Sequence, residues 1–521
     1  MNVSFLTFNK YRISILAFFV VFLLIFKCGG QTFSEDSSPK NKKIDNNPES
    51  TNLYSEFSQS EILQDERKIL ARIPFSSIYE RDKIIGTEID VIGVWEKEIE
   101  AILKPSEILK LQSLGFMVIV IQKDYRLTDL SREKIPDPYH THSEIQQILQ
   151  TTADENPDFV KQYILGKSVS DRDIIALKIT NNPDIEEIEP EVRLLGLHHG
   201  NEVISSEFLL YLIRYLVDKY KTGDTEIVEM INTTEIWIVP AVNPDGLEYP
   251  GGPIRYNANG VDLNRNYENP EGYHWSDVGG PVAFSEPETR AIRDFSLPTG
   301  NTINNTFVLS LAYHTGETCF NYVWNYKPSI TPDDYLLQIQ GNNYKDAVES
   351  AGLKGFWVTL GYYWYQTIGD VNDWAYGFTS TLDSTIECSK KGIPSVNSQE
   401  DIDAYCYPHL RGTLYSIWLA GEGIRGRVVD GETSMPLLAN IDVKEIGKPV
   451  FTDPTQWGDF YRVLTPGTYT VEISANDYIT TTITNVFVGE SLATQKERNY
   501  TDLGVIRIKP RYKVCNLWLT K

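Results

Sequence analysis

Seven histidines, His140, His142, His198, His199, His274, His314 and His409, are the nitrogen donors the chain can offer a metal. Its five cysteines, Cys28, Cys319, Cys388, Cys406 and Cys515, show no CxxC spacing. A zinc ribbon or redox pair is therefore excluded, and any metal must be held by His and carboxylate. Three histidines are followed three residues later by an acid: His199/Glu202, His274/Asp277 and His314/Glu317. With 71 acidic residues in 521, about one such pair arises by chance, so context has to separate them. His199 and His314 each follow a strongly apolar run (VRLLGL and VLSLAY), where a sheet delivers side chains to its edge, whereas His274 sits in a Pro- and Gly-rich loop and reads as structural or exposed. Two ways to build a His₂Glu site remain open: His199 and Glu202 with His314, or His314 and Glu317 with His199. Three protein ligands leave a fourth position for water, which zinc brings to a pKa of about 7. Such a site is hydrolytic in character. Glu387 stands between Ile386 and Cys388 on an apolar strand pattern, where an unpaired charge is costly, and that cost marks it as a candidate. No HExxH, GxSxG or GxxxxGK[ST] occurs.

The elements that must position these groups follow from the patterning. From about residue 138 to 421, strand patterns (IIALKIT, VRLLGL, EIWIVPAV, FVLSLAY) alternate with amphipathic helix patterns such as SSEFLLYLIRYLVDKY. This predicts an α/β fold, a mixed sheet of eight-stranded type with helices on both faces and functional residues on loops at the strand ends. Between 66 and 130, a strand (IIGTEIDVIGVW), a helix (PSEILKLQSLG) and a second strand (FMVIVIQKD) form a small α/β unit, with Pro105 at the helix start and Gly115 at its end. Beyond 421, short strands (GIRGRVVD, ANIDVKEI, FYRVL, TYTVEISA, TITNVFV, LGVIRIK) are separated by turn residues, the pattern of a small β-sandwich or barrel.

The length of 521 residues implies roughly three structural units, and 41% hydrophobic against 23% charged residues is globular usage. The balance of 48 basic against 71 acidic residues, −23, argues against nucleic acid or anionic lipid as the main partner. Residues 1–28 carry Lys10 and Arg12, then a fourteen-residue run from Ile13 to Phe26 that is apolar apart from Ser14. That run is short for a bilayer span of about 20 residues but suits a signal peptide, so export to the cell envelope or the extracellular space is expected. Cys28 followed by a polar tether (29–65) resembles a bacterial lipoprotein signal, in which Cys28 would carry lipid and supply the membrane link. Lys27 departs from the small residue usual there, and an ordinary signal peptide or an uncleaved anchor competes with that reading.

Seven blocks, GLHHGNE (196–202), VNPDG (242–246), RYNANGVDLNRNY (255–267), FSEPE (284–288), AYHTG (312–316), WYQTIGDVNDWAY (364–376) and STIEC (384–388), stand in the chain in that order. Together they resemble the zinc metallocarboxypeptidases, in particular the regulatory branch whose catalytic domain is followed by a transthyretin-like β-domain. The resemblance implies a catalytic domain at 135–421, a transthyretin-like domain at 422–511 and one Zn²⁺ per chain held by His199, Glu202 and His314. It also implies Glu387 as general base, Arg255 beside the oxyanion, and Asn264 and Arg265 as the clamp on the substrate's terminal carboxylate. Tyr365 would be the mobile tyrosine that closes over bound substrate. His198 then reads as a packed neighbour and Glu288 as an ion-pair partner. The unit at 66–130 is similar in size and texture to carboxypeptidase pro-segments. Branch members that prefer C-terminal Lys or Arg carry an Asp where this chain has Asn325, and Asn372 is likewise neutral, so a neutral or polar C-terminal residue is expected, with Glu317 the remaining source of charge. The implied activity is removal of single residues from peptide or protein C-termini. A non-catalytic cell-surface module that holds peptide tails and a cell-wall stem-peptide carboxypeptidase are the competing functions.

Overall fold

Alternation of side chains along the strands of the catalytic region splits them into two sets. Ile175, Leu177, Val192, Leu194, Ile236, Ile238, Leu309 and Leu311 belong to one buried cluster, while Ile174, Ala176, Leu195, Trp237, Val239 and Ala312 belong to another. Successive residues of a strand point to opposite faces, so both faces of this sheet are buried. The computed structural model describes residues 67–511 except 88, 95–96, 124–134, 276–277, 298–305, 455–456 and 491–497. The signal segment, Cys28 and the tether lie outside the described residues.

The sheet contains β5 (Val160–Lys167), β6 (Asp173–Ile179), β7 (Glu191–Gly196), β8 (Glu235–Val239), β9 (Leu309–His314), β10 (Thr318–Tyr322), β11 (Trp357–Leu360) and β12 (Leu382–Cys388). Their order is β11-β10-β12-β9-β7-β8-β6-β5. The central strands β12, β9, β7 and β8 are parallel; β10 and β6 pair antiparallel with β12 and β8, β11 runs parallel to β10, and β5 pairs antiparallel with β6. The eight-stranded mixed sheet expected from the sequence is therefore present. One face is covered by α3 (His142–Glu155), α4 (Val203–Lys221), α7 (Asp334–Ser350) and α8 (Gln399–Leu419), the other by α6 (Pro287–Phe295). The helix α5 (Thr225–Asn232) starts at Asp224, whose carboxylate accepts from the Glu226 and Ile227 N–H groups.

Ahead of this sheet a smaller one runs β2-β3-β1-β4, from β1 (Ile69–Pro74), β2 (Asp90–Val94), β3 (Glu98–Leu103) and β4 (Ile119–Gln122), with α1 (Ile78–Ile85) and α2 (Pro105–Ser113). The α2 helix begins on Pro105 and is followed by Gly115 at φ +90°, as its punctuation predicted. Two expectations are corrected here. Ile84 and Ile85, read as the start of a strand, close α1, capped by the Ser77 side chain, and β1 and β3, with no separate signal in the sequence reading, form the centre of the sheet. An apolar pair ending an amphipathic helix has the same composition as a strand start. After residue 421 come a three-stranded sheet, β16-β13-β19, and a four-stranded one, β15-β14-β17-β18. They comprise β13 (Gly423–Asp430), β14 (Asn440–Val443), β15 (Val450–Phe451), β16 (Asp459–Arg462), β17 (Gly467–Ser474), β18 (Thr481–Val488) and β19 (Tyr500–Ile508), around one apolar cluster that includes Ile424, Ile441, Phe460 and Val471. No helix among the described residues is long and apolar enough to cross a membrane.

Candidate active site

The C-terminal ends of β7 and β9 are neighbours, with Gly196 opposite Tyr313, so the residues that follow each strand meet at one edge. Leu197, at φ +58°, bends the chain sharply after β7 and sends His198 and His199 along that edge. Gly200 lets the turn press against Gly246, where a Cβ would stand 2.2 Å from backbone. Glu202 then sits at the start of α4. His314 is the last residue of β9, and Glu387, on β12, lies opposite it in register.

His199, Glu202 and His314 are buried, and one ligand atom from each lies within 4.8 Å of the others. His199 Nδ1 is 2.7 Å from Glu202 Oε1, His314 Nδ1 is 2.9 Å from Glu202 Oε2, and the two Nδ1 atoms are 3.2 Å apart. Two nitrogens at the usual Zn–N distance of about 2.05 Å, subtending a tetrahedral angle, stand about 3.3 Å apart. The donor set and its spacing fit zinc, with a fourth position left open. Burial opposes ionisation of Glu202, but the two imidazoles outweigh it and hold the carboxyl below its ordinary range. For His199, burial and Arg255 favour the neutral ring, and the charges of Glu202 and Asp262 overcome them and raise it. The site thus concentrates negative charge where a cation is needed.

Asp262 joins the site through a contact that the sequence does not announce. Its Oδ1 is 3.0 Å from His199 Nε2, which turns Nδ1 inward, and its Oδ2 accepts from Arg255 Nε at 2.9 Å. Against its burial, Arg255 and His199 hold Asp262 well below the usual carboxylate range. Its position two residues before Asn264, inside an otherwise assigned block, was the available signal. Ligand-orienting carboxylates of this kind fix tautomer and ring direction.

The other expected groups converge on the same cleft. Asn264, Arg265, Asn325, Tyr365, Asn372 and Glu387 line it. Arg265 is 2% exposed; Nη1 donates to Asn264 O at 2.8 Å, while Nε and Nη2 have no hydrogen-bond partner. Asn264 accepts from the Val371 N–H and turns Nδ2 to within 3.3 Å of His314 Nε2. Glu387 Oε2 is buried without a partner, and burial together with the Glu202 charge raises its pKa well above the ordinary value. His198 stacks on His314 at 5.5 Å and meets the Tyr267 hydroxyl at 2.9 Å, a packed neighbour as expected. His274 meets Gly280 O in its loop.

Two expectations change. Glu288, buried at the start of α6, bonds neutral groups, the Val169 N–H and Asn257 Nδ2, and makes no ion pair among the described residues. Glu317 turns to the Thr318 N–H and pairs with Lys390 at 3.3 Å, and it is not among the residues that line the cleft. Instead Asp370, overlooked in the sequence, lines it. Its oxygens accept from Asn325 Nδ2, the Asp373 N–H and the Thr367 hydroxyl. Asn372 is held between Asp383 and Thr385, whereas Asn325 Oδ1 and Asn321 Oδ1 are buried without partners.

The N-terminal unit also reaches the cleft. Ile92 of β2 lines it, Tyr256 OH donates to Asp90, Asp90 Oδ1 stands 3.7 Å from Arg255 Nε, and Trp364 Nε1 donates to Val94 O at 3.4 Å. Tyr365 packs on the apolar cluster of that unit. The space left is about 30 Å³, room for only a water or two. A larger cavity of about 240 Å³, between the catalytic sheet and the C-terminal sheets, has largely apolar walls that include Leu297, Phe307 and Phe451 and holds none of these groups.

A family model described as Peptidase_M14, zinc carboxypeptidase, matches residues 145–408. The chain is 31% identical over 373 residues to carboxypeptidase D of Homo sapiens, covering 66% of this chain and 26% of that protein. It is 30% identical over 419 residues to the carboxypeptidase N catalytic chain of Rattus norvegicus, covering 71% of this chain and 89% of that one. The match thus spans about a quarter of the length of the carboxypeptidase D relatives. Among solved structures, carboxypeptidase A from Helicoverpa armigera superposes with a TM-score of 0.54 at 21% identity, over 67% of this chain and 96% of that one, which shows a shared fold.

Proposed function

The chain belongs to the zinc carboxypeptidase family, and from that premise we propose that it hydrolyses the last peptide bond of peptide or protein chains, with one zinc ion held by His199, Glu202 and His314. The observation that carries this reading is Arg265: a buried guanidinium with two unpartnered donors in the cleft that holds the His-Glu-His set. Its fork of donors matches the two oxygens of a carboxylate, and an internal peptide bond has no carboxylate to offer.

Zinc bound there would supply Lewis acidity toward the scissile carbonyl and an acidified water. The protein's own groups do the rest. Glu387 takes the proton from the attacking water and delivers it to the leaving amine. Arg255 presents its charge where the carbonyl oxygen becomes negative. Tyr365, at the C-terminal end of the Gly361–Trp364 turn, closes the cleft over the bound chain end. The apolar run from Ile13 to Phe26 supports export of the enzyme.

The side-chain pocket favours a C-terminal residue that donates hydrogen bonds. Asp370 is already supplied with three donors, and the acceptors left over are the neutral oxygens of Asn321 and Asn325. Without an available counter-carboxylate, a desolvated Lys or Arg gains little there. A panel of peptides differing only in the last residue, read by mass spectrometry, is expected to show polar residues such as Gln released fastest. Release of Lys and Arg alone would mean that Asp370 sets the specificity, and cleavage of no member would refute the proposed activity.

The contacts of Asp90, Ile92 and Val94 support a pro-segment role for the N-terminal unit, since a space of about 30 Å³, room for a water or two, is too small for the end of a peptide chain. Cutting the chain at a protease site introduced within 124–134, then removing the released unit by gel filtration, is expected to raise kcat/KM by about tenfold or more, a blocking energy of at least about 1.4 kcal/mol. Equal activity before and after removal would show that the unit does not restrict access.

A further inference from the structure

The N-terminal ends of β7 and β8 lie at the sheet edge opposite the cleft, and each begins on a carboxylate: Glu191 and Glu235 are paired in register. Glu186 approaches from the loop before β7. Asp453 comes from the loop between β15 and β16, in the C-terminal sheets, held there by its own N–H to Asp459 O at 2.8 Å. The two parts of the chain are tied at this point by Trp457, whose indole N–H donates to Glu186 O at 2.8 Å. One carboxylate oxygen from each of Glu186, Glu191 and Asp453 lies within 4.8 Å of the others. Oxygens bound to a single Ca²⁺ at about 2.3–2.6 Å stand no more than about 4.6–5.2 Å apart, so one ion can touch all three.

A group of acids alone says little, but Glu191 adds an independent observation. It is 4% exposed; the Thr306 N–H takes one oxygen, and Oε1 is buried without a hydrogen-bond partner. A buried carboxylate oxygen left in this way is costly unless a proton or cation meets it. Among the described residues Lys178 pairs with Glu235 and stands 3.9 Å from Glu186, which leaves one ammonium among four carboxyl groups. Burial and mutual repulsion push Glu186 up to about 8 and raise Glu191 as well. The donors are all oxygen, with no imidazole or thiol, the set taken by hard divalent cations. Glu186 is only partly buried, which gives water access to complete a coordination shell.

We propose that Glu186, Glu191 and Asp453 form a site for a hard divalent cation, Ca²⁺ in the first place, that ties the catalytic sheet to the C-terminal β-sheets.

The test heats the full-length protein, its catalytic centre intact, in resin-treated buffer with and without millimolar CaCl₂ or MgCl₂, at ionic strength matched with NaCl. Ca²⁺ is expected to raise the unfolding midpoint by about 3 °C or more, and Mg²⁺ by less. Tb³⁺ should bind with luminescence sensitised through Trp457 and be displaced by Ca²⁺. In a Glu186→Gln/Asp453→Asn variant both responses should vanish, while peptide hydrolysis stays at the wild-type rate. Absence of a Ca²⁺-dependent midpoint shift in the wild type overturns the proposal, and so does an equal shift and equal Tb³⁺ signal in the double variant. Should the double variant not fold, Glu191→Gln replaces it under the same criteria.

Discussion

Replacing Glu387 by Gln is expected to lower turnover by about 10²- to 10⁴-fold, the usual contribution of a positioned general base, while zinc content and peptide binding hold. The shape of the side chain is kept, and only the ability to take a proton is lost. Glu387 suits that task because it sits opposite His314 in register and exposes an unpartnered oxygen to the cleft. Burial and the charge of Glu202 raise its affinity for a proton. The same features make the residue costly to the fold, so the Gln variant should unfold at the wild-type temperature or above it. Peptide release, zinc by atomic absorption and a melting curve settle the three parts. Unchanged turnover would remove Glu387 from the chemistry.

The second large effect belongs to Arg265. Arg265→Met is expected to cost about 2–5 kcal/mol of the interaction with the terminal carboxylate, a fall of about 30- to 5,000-fold in kcat/KM. The decisive comparison uses peptides ending in a free acid and in an amide. Wild type should strongly prefer the acid, and the variant should treat the two nearly alike, since the cleft's other guanidinium, Arg255, is paired with Asp262. Stability should change little, because the Nη1 bond to Asn264 O is the one hydrogen bond given up, and Nε and Nη2 have none to lose. A variant that keeps full preference for the acid would move carboxylate recognition elsewhere in the cleft, to Asn264 or Tyr365.

The sequence carried much of the site because the site hangs on strand ends. His199 and His314 follow apolar runs, and such runs end where a sheet meets its loops, so both histidines could be assigned to one edge. Glu387 was visible for a different reason: a carboxylate embedded between Ile386 and Cys388 breaks an apolar pattern at a cost that structure alone does not require. Helix α2 was bounded by Pro105 and Gly115, whose backbone preferences are local. By contrast Ile84 and Ile85 were misassigned, since two apolar residues carry no period of their own. Asp262 escaped notice because its meaning lies in a contact 63 positions away, with His199. Asp370 escaped because a carboxylate in a polar loop is unremarkable until its three donors are seen.

Residue types and their local order thus determined the donor chemistry, the class of fold and the family of the catalytic region. They also set the neutrality of Asn325 and Asn372, which no folding can change. Tertiary structure alone decided which acids face which cations: Glu202 between two imidazoles, Glu317 spent on Lys390, and Asp90 of the N-terminal unit beside Arg255. It also brought Glu186 and Glu191 to Asp453, across more than 260 positions of chain. The physical reason is range. Propensity, capping and periodicity act over a few residues, whereas Coulomb interaction and desolvation depend on distance and burial in space, and those are set only when the sheets have packed.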